Sequence, residues 1–272
     1  MIQDALNAID PARLWWQPLR RWLPGGERWE KVISAGPHDP AALISKDEQA
    51  GIPVADILNR LAPPGFHLQF VHQSALPPGM AYEQFIFDTG QCPTRDNLHD
   101  FFNGLCWFRF PQVKSLFNLL QARQIRRQGV GQHRGIIRDT ITLLDEGGMF
   151  LLAPPSLWEA IRERDWKRAF VLERDLWRQT RTAIVGHALL EKCVTPYRAI
   201  TANVIAIPPG TPAEDIDDVM ARELECLLDD SLQAKPQQPL PVMGIPGWDP
   251  ASEDSAFYDD LTVFRPPRPR TT

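Results

Sequence analysis

The sequence predicts an α+β (mixed α/β) fold in a single domain, with several helices around a small sheet. An irregular N-terminal wrap and an extended Pro-rich C-terminal tail complete it. Three observations lead there. Helical and alternating apolar patterns follow one another along the chain. The 26 prolines, about twice the usual ~5%, argue against an all-helical protein and for long fixed connections. The 272 residues are enough for a substantial core, and no repeat or low-complexity block divides them. Residues 1–50 form the wrap, 82–232 the motif-bearing core and 233–272 the tail.

The wrap carries Trp15, Trp16, Trp22 and Trp29. Prolines cut it into short pieces, so short helices anchored by indoles are expected. Residues 51–61 suit a small helix with Val54, Ile57, Leu58 and Leu61 on one face. Residues 66–71 alternate like a strand, and 82–88 are aromatic and apolar enough for another. A helix over 95–108 would be capped by Thr94 or Asp96. Pro111 opens the next, over 111–127, because proline suits the first helical position. Residues 128–135 read as a Gly-rich loop, 136–144 as a short helix and 149–152 as a strand. Ser156 and Glu159 have capping-box spacing ahead of a helical stretch to Gln179. Residues 181–185 and 200–207 read as strands, with a helical segment from His187 between them. Thr211-Pro212-Ala213-Glu214 predicts a helix start, with the helix running to about Asp230.

No segment approaches the ~20 apolar residues that cross a bilayer, so no membrane role is expected. The N-terminus lacks a secretion-signal pattern. Cys92, Cys106, Cys193 and Cys226 form no C-x-x-C pair, which fits reduced thiols in a cytoplasmic protein. The net charge of -5 is unevenly spread: no Asp or Glu falls between Arg109 and Arg138, whereas 211–230 holds eight acids against one base, Arg222.

Four stretches resemble the bacterial family known as domain of unknown function 3025. They are the run from Pro93 to Asn103, the Trp107…Phe110-Pro111…Lys114…Asn118 run, the segment from Gly186 to Lys192, and Gly244-Ile245-Pro246-Gly247-Trp248 with Tyr258-Asp259-Asp260 and Phe264-Arg265-Pro266. The resemblance implies a compact bacterial protein and carries no activity.

Chemistry is therefore read from side chains. Asp96, His99, Asp100 and Asn103 share a helix face and suit acid–base work, with Asp139 as a further carboxylate. His99 and Asp100, with His187 and Glu191 at i, i+4, make a candidate shell for a divalent metal ion. Asp145-Glu146 beside Gly147-Gly148 either closes a turn or adds carboxylates to such a site. Arg95, Lys114, Asn118, Arg127, Arg134 and Arg138 are the candidates for substrate binding, since guanidinium groups and glycine amides suit oxyanions. There is no G-x-S-x-G, H-E-x-x-H or G-x-G-x-x-G motif, so serine-hydrolase, zincin and dinucleotide-binding readings are weak. The leading expectation is a metal-assisted hydrolase or transferase acting on a phosphorylated or other anionic substrate. The alternative is a non-catalytic binding protein whose basic window docks an acidic partner or nucleic acid.

Overall fold

A computed structural model describes residues 2–34, 52–128, 135–229 and 231–267. Helix α1 (Ile2–Asn7) leads through a 3-10 segment, Leu14–Trp22, to α2 (Glu27–Ser34). All four tryptophans of this wrap are buried. Trp16 stacks on Phe102 at 5.5 Å and Trp29 meets Phe101 edge-on at 6.3 Å, so the indoles anchor the wrap to the core.

Next come α3 (Val54–Leu61), β1 (Gln69–His72), α4 (Tyr82–Thr89), β2 (Gln91–Thr94), α5 (Leu98–Arg109), α6 (Pro111–Gln128) and α7 (Ile136–Gly147). They are followed by β3 (Gly148–Leu152), α8 (Pro155–Glu163), β4 (Arg181–Ile184), α9 (His187–Lys192), β5 (Thr201–Ala206), α10 (Ile216–Leu227) and β6 (Gln238–Pro241). The main sheet has the order β4-β3-β5-β6; β3 and β5 are parallel and the outer pairings antiparallel. Strands β1 and β2 form a separate parallel pair.

Strand β3 is buried along its whole length. Its side chains alternate between faces and divide the interior in two. Met149 and Leu151 join Phe101, Phe102, Leu157 and Leu190 on one side. Phe150 and Leu152 join Phe117, Ile141 and Met220 on the other. Helices α3, α5, α8 and α9 cover the first face, and α6, α7 and α10 the second. Helix α5 is buried from Asp100 to Phe108, its polar Asp100 and Asn103 included. Gly104 lets it approach α3 closely, since a Cβ there would lie 2.5 Å from Leu58 Cδ1.

Several expectations change. Residues 82–88 are helix, not strand: Phe85 and Ile86 are its buried residues, and Gly90 ends it at φ 68 in the left-handed region. Helix α5 is capped by Asn97, whose side chain accepts from the Asp100 N–H at 2.8 Å, because Thr94 belongs to β2. Asp96 instead accepts from the Val54 N–H at 2.8 Å, serving the first turn of α3. Pro155, not a Ser156 cap, opens α8. Thr211 bonds back to the Pro208 carbonyl, and α10 starts only at Ile216. The Pro-rich C-terminal region is tied into the fold. Its residues 238–241 form the edge strand β6, and Trp248, Phe257, Tyr258 and Phe264 are buried. Among the described residues no helix is long and apolar enough to cross a membrane.

Candidate functional site

The site forms where the C-terminus of α7, the N-terminus of α9 and the first turn of α5 meet. The chain leaves α7 at Gly147, and the Gly148 carbonyl accepts from the N–H groups of Val185 and Gly186 at 3.1 and 2.9 Å. A Cβ on Gly186 would sit 2.4 Å from the Gly148 nitrogen. Two glycines in contact thus set α9 hard against the end of α7, which brings His187 beside Asp145 and Glu146.

His187 comes within hydrogen-bond distance of His99, 88 residues away, with the two Nε2 atoms 2.8 Å apart. The other nitrogen of each ring faces a carboxylate. His99 Nδ1 is 3.0 Å from Glu191 Oε2. His187 Nδ1 is 3.9 Å from Asp145 Oδ2 and is buried without a hydrogen bond. A Glu146 carboxylate oxygen lies 3.9 Å from His187 Nε2. One ligand atom from each of His99, Glu146 and His187 fits within a 4.8 Å cluster.

Behind this cluster runs a chain of buried polar groups. The Lys114 ammonium, 4% exposed, donates to Asp145 and to Asn103 Oδ1, the latter at 2.8 Å. Asn103 Nδ2 donates to the Tyr82 hydroxyl at 3.1 Å, which in turn meets Cys92 Sγ at 3.1 Å. Burial pushes the Cys92 thiol up to about 12, so it stays protonated. Burial alone would raise the Asp145 pKa, but Lys114, then His187, outweigh it and hold the carboxyl below its ordinary value. Burial lowers His187 to about 4, with Asp145 opposing and Lys114 and His99 reinforcing the shift. The imidazole is therefore neutral at neutral pH, the form that ligates metal or accepts a proton.

The cluster opens into a cleft of about 370 Å³. Tyr82, Glu83, Arg95, Gln121 and Thr142 line it with the histidines. Asp100 also reaches its wall but is committed to Arg95: it accepts from that residue's backbone N–H at 2.6 Å, Nε at 3.1 Å and Nη2 at 2.8 Å.

The candidate residues separate accordingly. His99 and His187 come together, with their Nε2 atoms 2.8 Å apart. Asp100 and Glu191 do not stand with them as ligands: the first holds Arg95 and the second holds the far side of His99. Asn103 supports the site through Lys114. Asp96 lies away at α3, and Asp139 faces Lys235 at 3.8 Å on the outer side of α7. Of the substrate-binding set, Arg95 lines the cleft. Lys114 is turned inward, and Asn118 donates to the Glu83 carbonyl at 2.7 Å. Arg127 is exposed in the last turn of α6, and Arg138 is buried in α7 with no partner for its Nε. Arg134 lies outside the described residues. Glu146 and Tyr82 are the additions. The carboxylate pair beside the glycines signalled Glu146, while Tyr82 was hidden by reading its segment as a strand.

No curated protein and no solved structure matches the chain. The model of the DUF3025 family, described as proteins of unknown function, matches residues 68–268. That match covers most of the chain, including every residue of the histidine cluster, and the protein belongs to this family.

Proposed function

We propose that the cleft holds a divalent cation on His99 Nε2, His187 Nε2 and a Glu146 carboxylate oxygen, and that the chain is a metal-assisted hydrolase or transferase. The observation that carries this reading is the orientation of the two imidazoles. Each turns its Nδ1 toward a carboxylate, Glu191 at 3.0 Å and Asp145 at 3.9 Å. Each thereby presents its Nε2 to the same point beside Glu146. Metal-binding histidines are characteristically backed by a carboxylate that fixes the tautomer and raises ligand basicity. Three protein ligands leave a position open to the cleft, which suits catalysis more than a closed structural site. A bound divalent ion would supply Lewis acidity toward a substrate oxygen.

The protein groups divide the remaining work. Asp145, kept ionised by Lys114, places a negative charge 3.9 Å from His187 Nδ1, and Glu191 orients His99 through a 3.0 Å hydrogen bond. Asp100 holds Arg95 through Nε and Nη2, which leaves Nη1 for a substrate anion at the mouth. An anionic substrate, phosphorylated or carboxylated, fits that arrangement.

One observation favours a second reading. Two ligands on a tetrahedral zinc at ~2.05 Å stand about 3.3 Å apart, whereas 2.8 Å is also a hydrogen-bond length. In that reading a proton joins the imidazoles and the cluster is a buried proton-sharing pair. Hydrolysis of p-nitrophenyl phosphate and bis(p-nitrophenyl) phosphate with added zinc, manganese or magnesium tests the first reading. Metal-dependent turnover that disappears in Glu146→Gln and His187→Ala, both still folded, supports it. Turnover insensitive to those changes and to chelator contradicts it.

A further inference from the structure

We propose that a second groove, at the far end of α5, binds a phosphate-bearing small molecule through Arg20, Arg21 and Arg109. Arg109 closes α5, ten residues after His99, so about 15 Å of helix separates it from the histidine cluster. The groove measures about 890 Å³ and is lined by those three arginines, Trp22 and Phe108 among others.

Its basic side chains are not neutralised by close ion pairs. Among the described residues, none of the three guanidinium groups makes an ion pair or a side-chain hydrogen bond. Two rest on aromatic faces, Arg109 over Phe110 at 4.9 Å and Arg21 over Trp22 at 5.4 Å. Such stacking fixes a guanidinium while leaving its edge available. Trp22 is 4% exposed and its Nε1 has no acceptor. That nitrogen has no exposed surface, so Trp22 serves the groove through its ring, as the platform for Arg21.

Local charge agrees. Burial lowers the Arg109 pKa, and Arg181 and Arg21 add to the shift while Asp217 opposes it. Asp217 already accepts from the Gln112 and Val113 N–H groups at 2.8 and 3.1 Å. The geometry is also built in. A Cβ on Gly26 would lie 2.0 Å from the Arg20 carbonyl oxygen, so glycine permits the chain to fold back tightly behind the arginine pair.

Three forked guanidiniums offer more donors than one carboxylate can accept, which selects phosphate. Glu27 and Glu214 also border the groove. Glu27 is paired with Lys31 at 2.8 Å, while Glu214 is exposed. Acids at the border disfavour a long polyanion and favour a small one.

The test is calorimetric titration of the full chain with inorganic pyrophosphate in chelator-treated buffer. We expect saturable binding at one site, weakened about tenfold or more by Arg109→Gln and by the exposed-site double variant Arg20→Gln/Arg21→Gln. His99→Ala should leave it unchanged, which separates this groove from the histidine cleft. Thermal melts establish that each variant is folded. Absence of saturable binding overturns the proposal. So does a loss seen in His99→Ala but in neither arginine variant, or displacement of pyrophosphate by a single-stranded oligonucleotide that binds more tightly.

Discussion

The basic window and the histidine cleft make opposite use of their residues. The window from Arg109 to Arg138 is dense in cations along the chain, yet the fold disperses them. Lys114 turns inward to Asp145, Arg126 pairs with Asp88 at 2.6 Å, and Arg138 is buried in α7. The acid-rich segment supplies part of the answer to that asymmetry, since Asp217 of α10 caps the first turn of α6. The cleft draws on residues scattered from Tyr82 to Glu191, and the fold concentrates them. Charge counted along a sequence thus predicts little about local potential unless the cations also share a surface. The way each imidazole turns its Nδ1 toward a carboxylate says more about chemistry.

Lys114 belongs to both regions, and removing it should have the largest effect. Lys114→Met would leave Asp145 and Asn103 facing each other without their shared donor. Breaking a buried pair from one side typically costs about 3–5 kcal/mol, and the partial exposure of Asp145 argues for the lower end. Urea denaturation at neutral pH should show the loss; a change below about 1 kcal/mol would mean that Lys114 is a window residue after all.

Acid should come next. His187 has its pKa lowered from 6.5 to about 4 in the folded protein. The unfolded chain therefore binds a proton first, so stability is full above about pH 6.5 and declines as pH falls toward 4. The decline attributable to this group is roughly 3 kcal/mol. Metal-free protein should show it, and His187→Asn should flatten that part of the pH–stability curve. An unchanged curve would place the imidazole in solvent.

Gly186→Ala should cost roughly 2 kcal/mol, in the range for forced overpacking. The added methyl meets Gly148 backbone rather than a flexible side chain. Its sharper consequence is on the cleft, because α9 must back away from α7 and carry His187 from Glu146. If the variant keeps wild-type stability, the tight approach of α9 to α7 is not what positions His187. At the bottom of the scale, Arg123→Gln on the exposed part of the window should stay within about 0.5 kcal/mol of wild type.

What the chain made legible depended on the range of the determining contacts. The run around Phe150 read as a strand, and Pro111 opened its helix, because composition and proline act locally. Helix α4 was missed because Phe85, Ile86 and Phe87 have strand-like composition. The i, i+3, i+4 spacing of Tyr82, Phe85 and Ile86, and Gly90 after it, carried the better signal. Thr94 looked like a cap until the pairing of β2 with β1 removed it from the helix, and that pairing is tertiary. The Pro-rich tail read as extended, and Pro239 and Pro241 in fact lie in an edge strand, which tolerates proline. At the site, His99 and His187 were visible as chemistry. The i, i+4 spacing of His187 and Glu191 suggested one shared ion, but they serve opposite sides of His99. That outcome depends on how α9 seats on α7, which no local pattern specifies.

The central claim is that two imidazoles and Glu146 converge on one cation. Titrating zinc into chelator-stripped protein by calorimetry tests it most directly. The account predicts one ion per chain, with binding lost or strongly weakened in His99→Ala, His187→Ala and Glu146→Gln while each remains folded. Failure of the intact chain to bind zinc, manganese or magnesium, or equal affinity in all three variants, would contradict it.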